Sequence, residues 1–128
     1  MNRALDWFRQ AERDLEQAAD SRAASRHEWA CFAAHQAAEK ALKALHLHYG
    51  QEAWGHVLSR LLQELPAQCP TPPDLVEKAR VLDGHYVPAR YPNGFVAGAP
   101  FEHYGPLQSE QALTYAREIL AFVRAQMA

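Results

Sequence analysis

Apolar residues recur at every third or fourth position along most of this chain, which is the pattern of amphipathic helices. The first such stretch runs from about Asn2 to Asp20, and its apolar stripe consists of Leu5, Phe8, Ala11, Leu15 and Ala18. Acidic and basic residues share the other positions. They predict a solvated face with ion pairs one helical turn apart.

The second helix is predicted from His27 to Tyr49 and is the longest. Its apolar positions include Trp29, Ala33, Ala37 and Ala44 on one side, with Leu42 and Leu45 on others. The polar positions form one narrow sector of Glu28, His35, Glu39, Lys43 and His46. An apolar arc this wide predicts a helix covered on several sides, either at the centre of a bundle or at a dimer interface.

Three further helices are predicted, from about Trp54 to Leu65, from Pro73 to Asp83, and from Ser109 onwards. Gly84 fits the position after a helix end, and Ser109 is a good N-cap. No strand pattern competes. The expected fold is therefore an all-α, antiparallel up-and-down helix bundle of four to five helices, as one domain over residues 1–128.

A long ordered loop is expected before the last helix, from Gly84 to Leu107. It carries the aromatic residues Tyr86, Tyr91, Phe95, Phe101 and Tyr104, and four prolines stiffen it. A helical hairpin needs only a few connecting residues. A long aromatic loop is therefore expected to pack on the bundle and to serve binding or a subunit interface.

Composition and charge exclude several classes of protein. The chain has 128 residues and a formal charge of −2, so the whole surface is not an electrostatic nucleic-acid binder. Cys31 and Cys69 form no metal or disulfide motif. No apolar run is long enough for a membrane span, and no secretory signal is visible. We expect a cytoplasmic protein without a metal site or cofactor.

Four segments together resemble the HEPN domain family, the nucleotide-binding domain of higher eukaryotes and prokaryotes. They are His35–Leu45, Gly55–Leu58, Leu82–Asn93 and Ala112–Leu120. Their order and spacing match from about Asp14 to Val123, and the glutamine–alanine–glutamate–lysine helix with the arginine–tyrosine–proline loop is the specific part. The resemblance implies an up-and-down bundle that pairs as a homodimer. It also implies a small nucleotidyltransferase as partner, often in a toxin–antitoxin pair.

Many members of this family cut RNA without a metal, using an arginine and a histidine four to six residues apart. Here Arg80 and His85 have that spacing and lie beside the aromatic loop. Two features depart from the family pattern. Val81 is apolar where a polar residue is usual, and Tyr86 directly follows the histidine. We therefore expect no robust ribonuclease activity, with Arg80 and His85 as the catalytic candidates if it exists.

Arg90 is the stronger candidate site residue. Pro88 and Pro92 restrict the backbone around it, and a guanidinium suits a phosphate. The candidate ligand-binding residues are Arg90, Tyr91, Tyr86, Lys40, Lys43 and His56. An internal ion pair of Arg90 with Glu39 or Asp83 is the structural alternative. His56 is otherwise a capping or packing residue, and the lysines otherwise belong to a solvated or subunit-bridging stripe.

The leading hypothesis is an interaction subunit that binds nucleotide or RNA, forms a homodimer or larger homo-oligomer, and partners a nucleotidyltransferase. A metal-independent endoribonuclease and a purely structural dimerisation module are the alternatives.

Overall fold

The computed structural model describes residues 1–128 and contains helices and no strands. The helices are α1 (Ala4–Ala23), α2 (His27–His48), α3 (Leu58–Gln63), α4 (Pro73–Asp83), α5 (Pro100–His103) and α6 (Pro106–Met127), with a 3₁₀ turn at Pro92–Gly94. The predicted all-α bundle is confirmed. None of the helices combines the length and the apolar character that crossing a membrane requires.

Helix α2 lies at the centre of the bundle. It packs against α1 and α6 along its length and against α3 and α4 at its sides. Its buried apolar residues are Ala30, Cys31, Ala34, Ala37, Ala38, Ala41, Leu42, Ala44 and Leu45. Small side chains let neighbouring helices approach closely. Much of the predicted wide apolar arc is thus covered within one chain.

Two helix starts differ from the prediction. Helix α3 begins at Leu58 rather than near Trp54, and α6 begins at Pro106 rather than at Ser109. Ser109 is not an N-cap, because it lies inside the first turn of α6 and its Oγ is 2.8 Å from Nδ1 of His27. A proline fits the first helical position because its missing N–H has no acceptor there.

Helix α4 ends at Asp83 as predicted, but the conformation of the residue that follows differs. Gly84 has φ −65° and a right-handed helical conformation, so it is not the left-handed terminator expected from its type. The chain continues in turns that pack on α2. Here Asp83 has a role the sequence did not reveal. Its carboxylate accepts hydrogen bonds from the backbone N–H of Leu58 (2.6 Å) and Ser59 (3.3 Å) and from the Ser59 hydroxyl (2.8 Å).

The long loop folds into short helical turns. Tyr86, Phe95 and Tyr104 are partly buried, whereas Tyr91 and Phe101 are exposed, so only part of the loop's aromatic surface packs on the protein. Val57, an apolar residue within the range predicted for the third helix, precedes α3 and is 43% exposed. The N-terminus of α3 reaches back to Asp83 and leaves Val57 at the surface.

The Asp83 contacts make a stability prediction. Asp83→Ala should lower the free energy of unfolding by about 1–2 kcal/mol, the typical cost of losing an N-cap acceptor. Urea unfolding measures this. Asp74→Ala is the matched control, because Asp74 is exposed and contacts only Lys78 at 3.5 Å. Equal losses in the two variants would show that the Asp83 contacts do not stabilise the start of α3.

Candidate functional site

Three segments meet on one side of α2 and form a compact cluster. Helix α2 contributes Phe32, His35 and Glu39, the segment before α3 contributes His56, and the segment after α4 contributes Tyr86 and Arg90. We call these six residues the Tyr86 cluster. The α2 members recur at three- and four-residue spacing, so they share one helix face.

Arg90 is held by aromatic rings. Its Cζ lies 4.3 Å from the ring centroid of Phe32, 4.6 Å from that of Tyr86 and 5.1 Å from that of Tyr91. Its Nε donates to the backbone carbonyl of Tyr86 at 2.8 Å. A guanidinium stacked on rings keeps its in-plane N–H groups available for other partners.

The ion pair proposed as the structural alternative for Arg90 is absent. Glu39 is bound by Lys43 at 3.2 Å and by His56 at 2.8 Å. Asp83 is bound by the start of α3. Both acids are therefore occupied, and Arg90 has no acidic partner. Its terminal N–H groups form no hydrogen bond within the chain, and neither terminal nitrogen is a buried unpaired atom.

His56 is fixed at three points. Its ring stacks on Tyr86 with centroids 4.5 Å apart and planes 16° apart. Its Nδ1 lies 2.8 Å from Oε1 of Glu39, and its backbone carbonyl lies 2.9 Å from Nε2 of His35. The side chain is nevertheless 50% exposed. It is not a helix cap, because it packs on Tyr86 and its side chain makes no capping hydrogen bond.

His35 is the buried anchor under this arrangement. Burial lowers its pKa below the usual value, so it is neutral at pH 7. Neutral imidazole has one donor and one acceptor nitrogen. Nε2–H donates to the His56 carbonyl, and Nδ1 accepts from the amide of Gln36 at 3.2 Å. Both ring nitrogens of His35 are hydrogen-bonded, so this residue fixes the backbone of His56 against α2.

The two candidate lysines are neutralised by neighbouring acids. Lys40 binds Asp14 at 2.5 Å, and Lys43 binds Glu39 at 3.2 Å. All four side chains are largely shielded from solvent. Lys40 joins α2 to α1, and Lys43 binds Glu39 of the Tyr86 cluster within α2. Neither lysine resembles an open anion site.

A groove of about 620 Å³ runs between α1 and α2. Its wall residues include Ser21, Arg26, Trp29, Phe32, Gln36 and Lys40. The acids Asp14 and Glu28 also line it, so positive and negative side chains are balanced. Phe32 lines the groove and also carries the Arg90 guanidinium, so the groove and the Tyr86 cluster share a wall.

Arg80 and His85 have different surroundings. Arg80 is exposed on α4, and no hydrogen bond or ion pair joins it to His85. His85 is mostly buried, with Nδ1 3.1 Å from the hydroxyl of Tyr104 and Nε2 unpaired. Burial, with a smaller effect of nearby His35, lowers the His85 pKa to about 4. No group of three His, Cys, Asp or Glu side chains is arranged to hold a metal.

Four of the candidate ligand-binding residues predicted from the sequence lie together in the structure: Arg90, Tyr86, Tyr91 and His56. Sequence reasoning missed Phe32, and it considered Glu39 only as a partner of Arg90. The helical spacing of Phe32 and Glu39 with His35 was the available signal for their shared face. Nothing local in the sequence indicates that the loop residues dock on that face.

Comparison with known proteins agrees with the fold. A model of the HEPN domain family matches residues 4–126. The crystal structure of TT1696 from Thermus thermophilus is 52% identical, with a TM-score of 0.97 over 98% of this chain and 99% of that one. ST0689, an archaeal HEPN homologue, is 40% identical, with a TM-score of 0.84 over 100% of both chains.

An HEPN domain protein from Thermotoga maritima is 31% identical, with a TM-score of 0.77 over 94% of this chain and 95% of that chain. No protein of curated function matches the chain. The matched residues include all six members of the Tyr86 cluster and every helix of the bundle. On the strength of the family match and these structures, the chain belongs to the HEPN domain family.

Proposed function

We propose that this HEPN protein is an interaction subunit that binds the phosphate of a nucleotide or RNA through Arg90. It would act as a homodimer beside a small nucleotidyltransferase, in a toxin–antitoxin-like pair. Family membership is the support for the partner enzyme. The observation that carries the ligand proposal is the guanidinium of Arg90, which is held by three rings and has no acidic partner.

The chemistry of Arg90 suits a phosphate. Nε is used by the Tyr86 carbonyl, and the remaining N–H groups form a planar fork that matches two phosphate oxygens. Stacking on Phe32 and Tyr86 holds the side chain before the ligand arrives, which reduces the entropy lost on binding. Tyr91 is half exposed beside it and offers a ring on which a base can stack.

Arg90→Lys tests the phosphate site, because lysine keeps the charge and loses the fork. We expect affinity for a fluorescently labelled single-stranded RNA to fall about ten- to a hundredfold, the range for a hydrogen bond to a charged group. Fluorescence polarisation at fixed salt measures it. Arg117→Lys is the control, because Arg117 is exposed on α6 and should change nothing. Unchanged RNA affinity with a lower melting temperature would instead make Arg90 a structural pin.

The groove between α1 and α2 is the surface we propose for the homodimer. Trp29 lines the groove and is 50% exposed in the single chain. Because tryptophan is enriched at the centres of interfaces, this exposed ring favours a partner at this surface. Arg26 and Glu28 flank one end, and the Asp14–Lys40 pair lies towards the other. If a twofold axis crossed the groove, the Arg26 and Glu28 end of one copy would face the Asp14–Lys40 end of the second copy. Acids and bases are present at both ends, so such pairing is self-complementary.

Trp29→Ala should weaken the dimer about thirtyfold or more, the effect of removing an interface hot spot. Sedimentation velocity across a micromolar concentration series measures the dissociation constant. Trp54→Ala is the matched control, because Trp54 is 83% exposed and does not line the groove. A monomeric wild-type protein at tens of micromolar would contradict the proposal. Dimerisation without RNA binding would favour the structural module.

The ribonuclease alternative built on Arg80 and His85 lacks a competent base. A base acts best when its pKa lies near the working pH. With a pKa of about 4, His85 is neutral at pH 7 and a weak proton acceptor, and its Nδ1 faces Tyr104. The exposed Arg80 makes no contact with it. These observations favour a binding role.

We therefore predict no robust cleavage when the purified protein is incubated with structured or single-stranded RNA in the presence of a chelator. Gel analysis of the RNA over time checks this. Cleavage that disappears in both His85→Ala and Arg80→Ala, with both variants folded, would overturn the prediction and establish the enzyme.

A further inference from the structure

We infer that Glu39 fixes the tautomer of His56, so that His56 Nε2 presents a hydrogen-bond acceptor to a ribose 2′-hydroxyl of the bound ligand. The inference rests on the proposed function, because Arg90 must hold the neighbouring phosphate. It assigns His56 to ligand selection, and it makes Glu39 a positioning residue that acts through His56.

The contact between Glu39 and His56 determines which ring nitrogen of His56 carries a proton. Oε1 of Glu39 lies 2.8 Å from Nδ1 of His56, and the other carboxylate oxygen binds the Lys43 ammonium. A carboxylate only accepts hydrogen bonds, so the nitrogen facing it must carry the proton. When the imidazole is neutral, Nδ1 carries its only proton, which leaves a lone pair on Nε2. Carboxylates fix histidine tautomers in the same way at other functional sites.

The orientation of His56 directs this lone pair away from the bundle. The Glu39 carboxylate is only 7% exposed whereas the His56 side chain is 50% exposed, so Nδ1 faces inward. Stacking on Tyr86 holds the plane of the ring, and the contact with Glu39 determines which edge of the ring faces inward. Nε2 forms no hydrogen bond within the chain, and His56 is an exposed residue. Nε2 is therefore an oriented acceptor on a side chain that is open to solvent.

Tyr86 connects this acceptor to the phosphate site. The His56 ring lies 4.5 Å from the centroid of Tyr86, and Cζ of Arg90 lies 4.6 Å from the same centroid. Both groups therefore lie against the ring of Tyr86. A ligand that passes over the edge of Tyr86 can contact both.

The 2′-hydroxyl is the donor that fits this position. It is attached to the carbon next to the one that carries the 3′-phosphate, so it stays near a phosphate held by Arg90. The 2′-hydroxyl is also the group by which proteins distinguish RNA from DNA.

The test compares oligouridylate with oligodeoxyuridylate of equal length, which differ only in the 2′-hydroxyl, by fluorescence polarisation. Wild-type protein should prefer the RNA about three- to tenfold, the contribution of one net hydrogen bond. His56→Phe keeps an aromatic ring on Tyr86 and removes the acceptor. Glu39→Gln keeps the shape, but its amide can donate to Nδ1 and so move the proton to Nε2. In His56→Phe the preference should fall towards one, whereas in Glu39→Gln it should fall by a smaller factor, because the 2′-hydroxyl can still accept from Nε2–H. DNA affinity should be retained in both variants.

Two controls separate the possible failures. Glu118→Gln removes a surface carboxylate that binds Lys78 at 3.0 Å, and it should keep the RNA preference. Arg90→Lys should weaken RNA and DNA equally. Arg90-dependent binding with no RNA preference, or equal losses of RNA and DNA affinity in the His56 and Glu39 variants, would overturn this inference alone. If the wild type binds neither oligomer, both this inference and the proposed function are wrong.

Discussion

The buried polar side chains of α2 constrain the rest of this structure. His35, Glu39 and His46 are buried on the central helix, and an unpaired polar group there would cost about 1–3 kcal/mol. Their partners come from the chain that follows α2. His35 binds the His56 carbonyl, Glu39 binds the His56 ring, and His46 Nε2 binds the Leu61 carbonyl at 2.8 Å. These bonds direct residues 49–61 across α2 and provide the surface on which Tyr86 and Arg90 dock.

The phosphate site that we propose is compatible with the net charge of −2. The lysines of α2 are neutralised by acids, so long-range attraction is weak. Arg90 is held instead by the faces of aromatic rings, which orient a cation without neutralising its charge. Selectivity must then come from groups next to it. His56 and Tyr91 are the adjacent groups with exposed surface.

Local patterns predicted much of the fold. Apolar periodicity gave α2 nearly to its ends, and the proline–aspartate start of α4 was correctly placed. The start of α6 was misplaced because the Ser109 hydroxyl is used by His27, 82 positions away. The lysines were read as a possible anion site because the Asp14 partner of Lys40 is 26 positions away. Such partners are set by tertiary packing, which periodicity does not encode.

The central claim is that the Arg90 guanidinium is held among aromatic rings in the free protein and receives a phosphate there. Nuclear magnetic resonance of the arginine side-chain N–H groups tests it directly, with Arg90 assigned from the Arg90→Lys spectrum. The account predicts ring-current-shifted Arg90 signals in the free protein, which move saturably as RNA is added while those of Arg117 stay fixed. The account would be contradicted if the Arg90 side-chain N–H groups had the chemical shifts of an unfolded chain, or if those shifts did not change at saturating RNA.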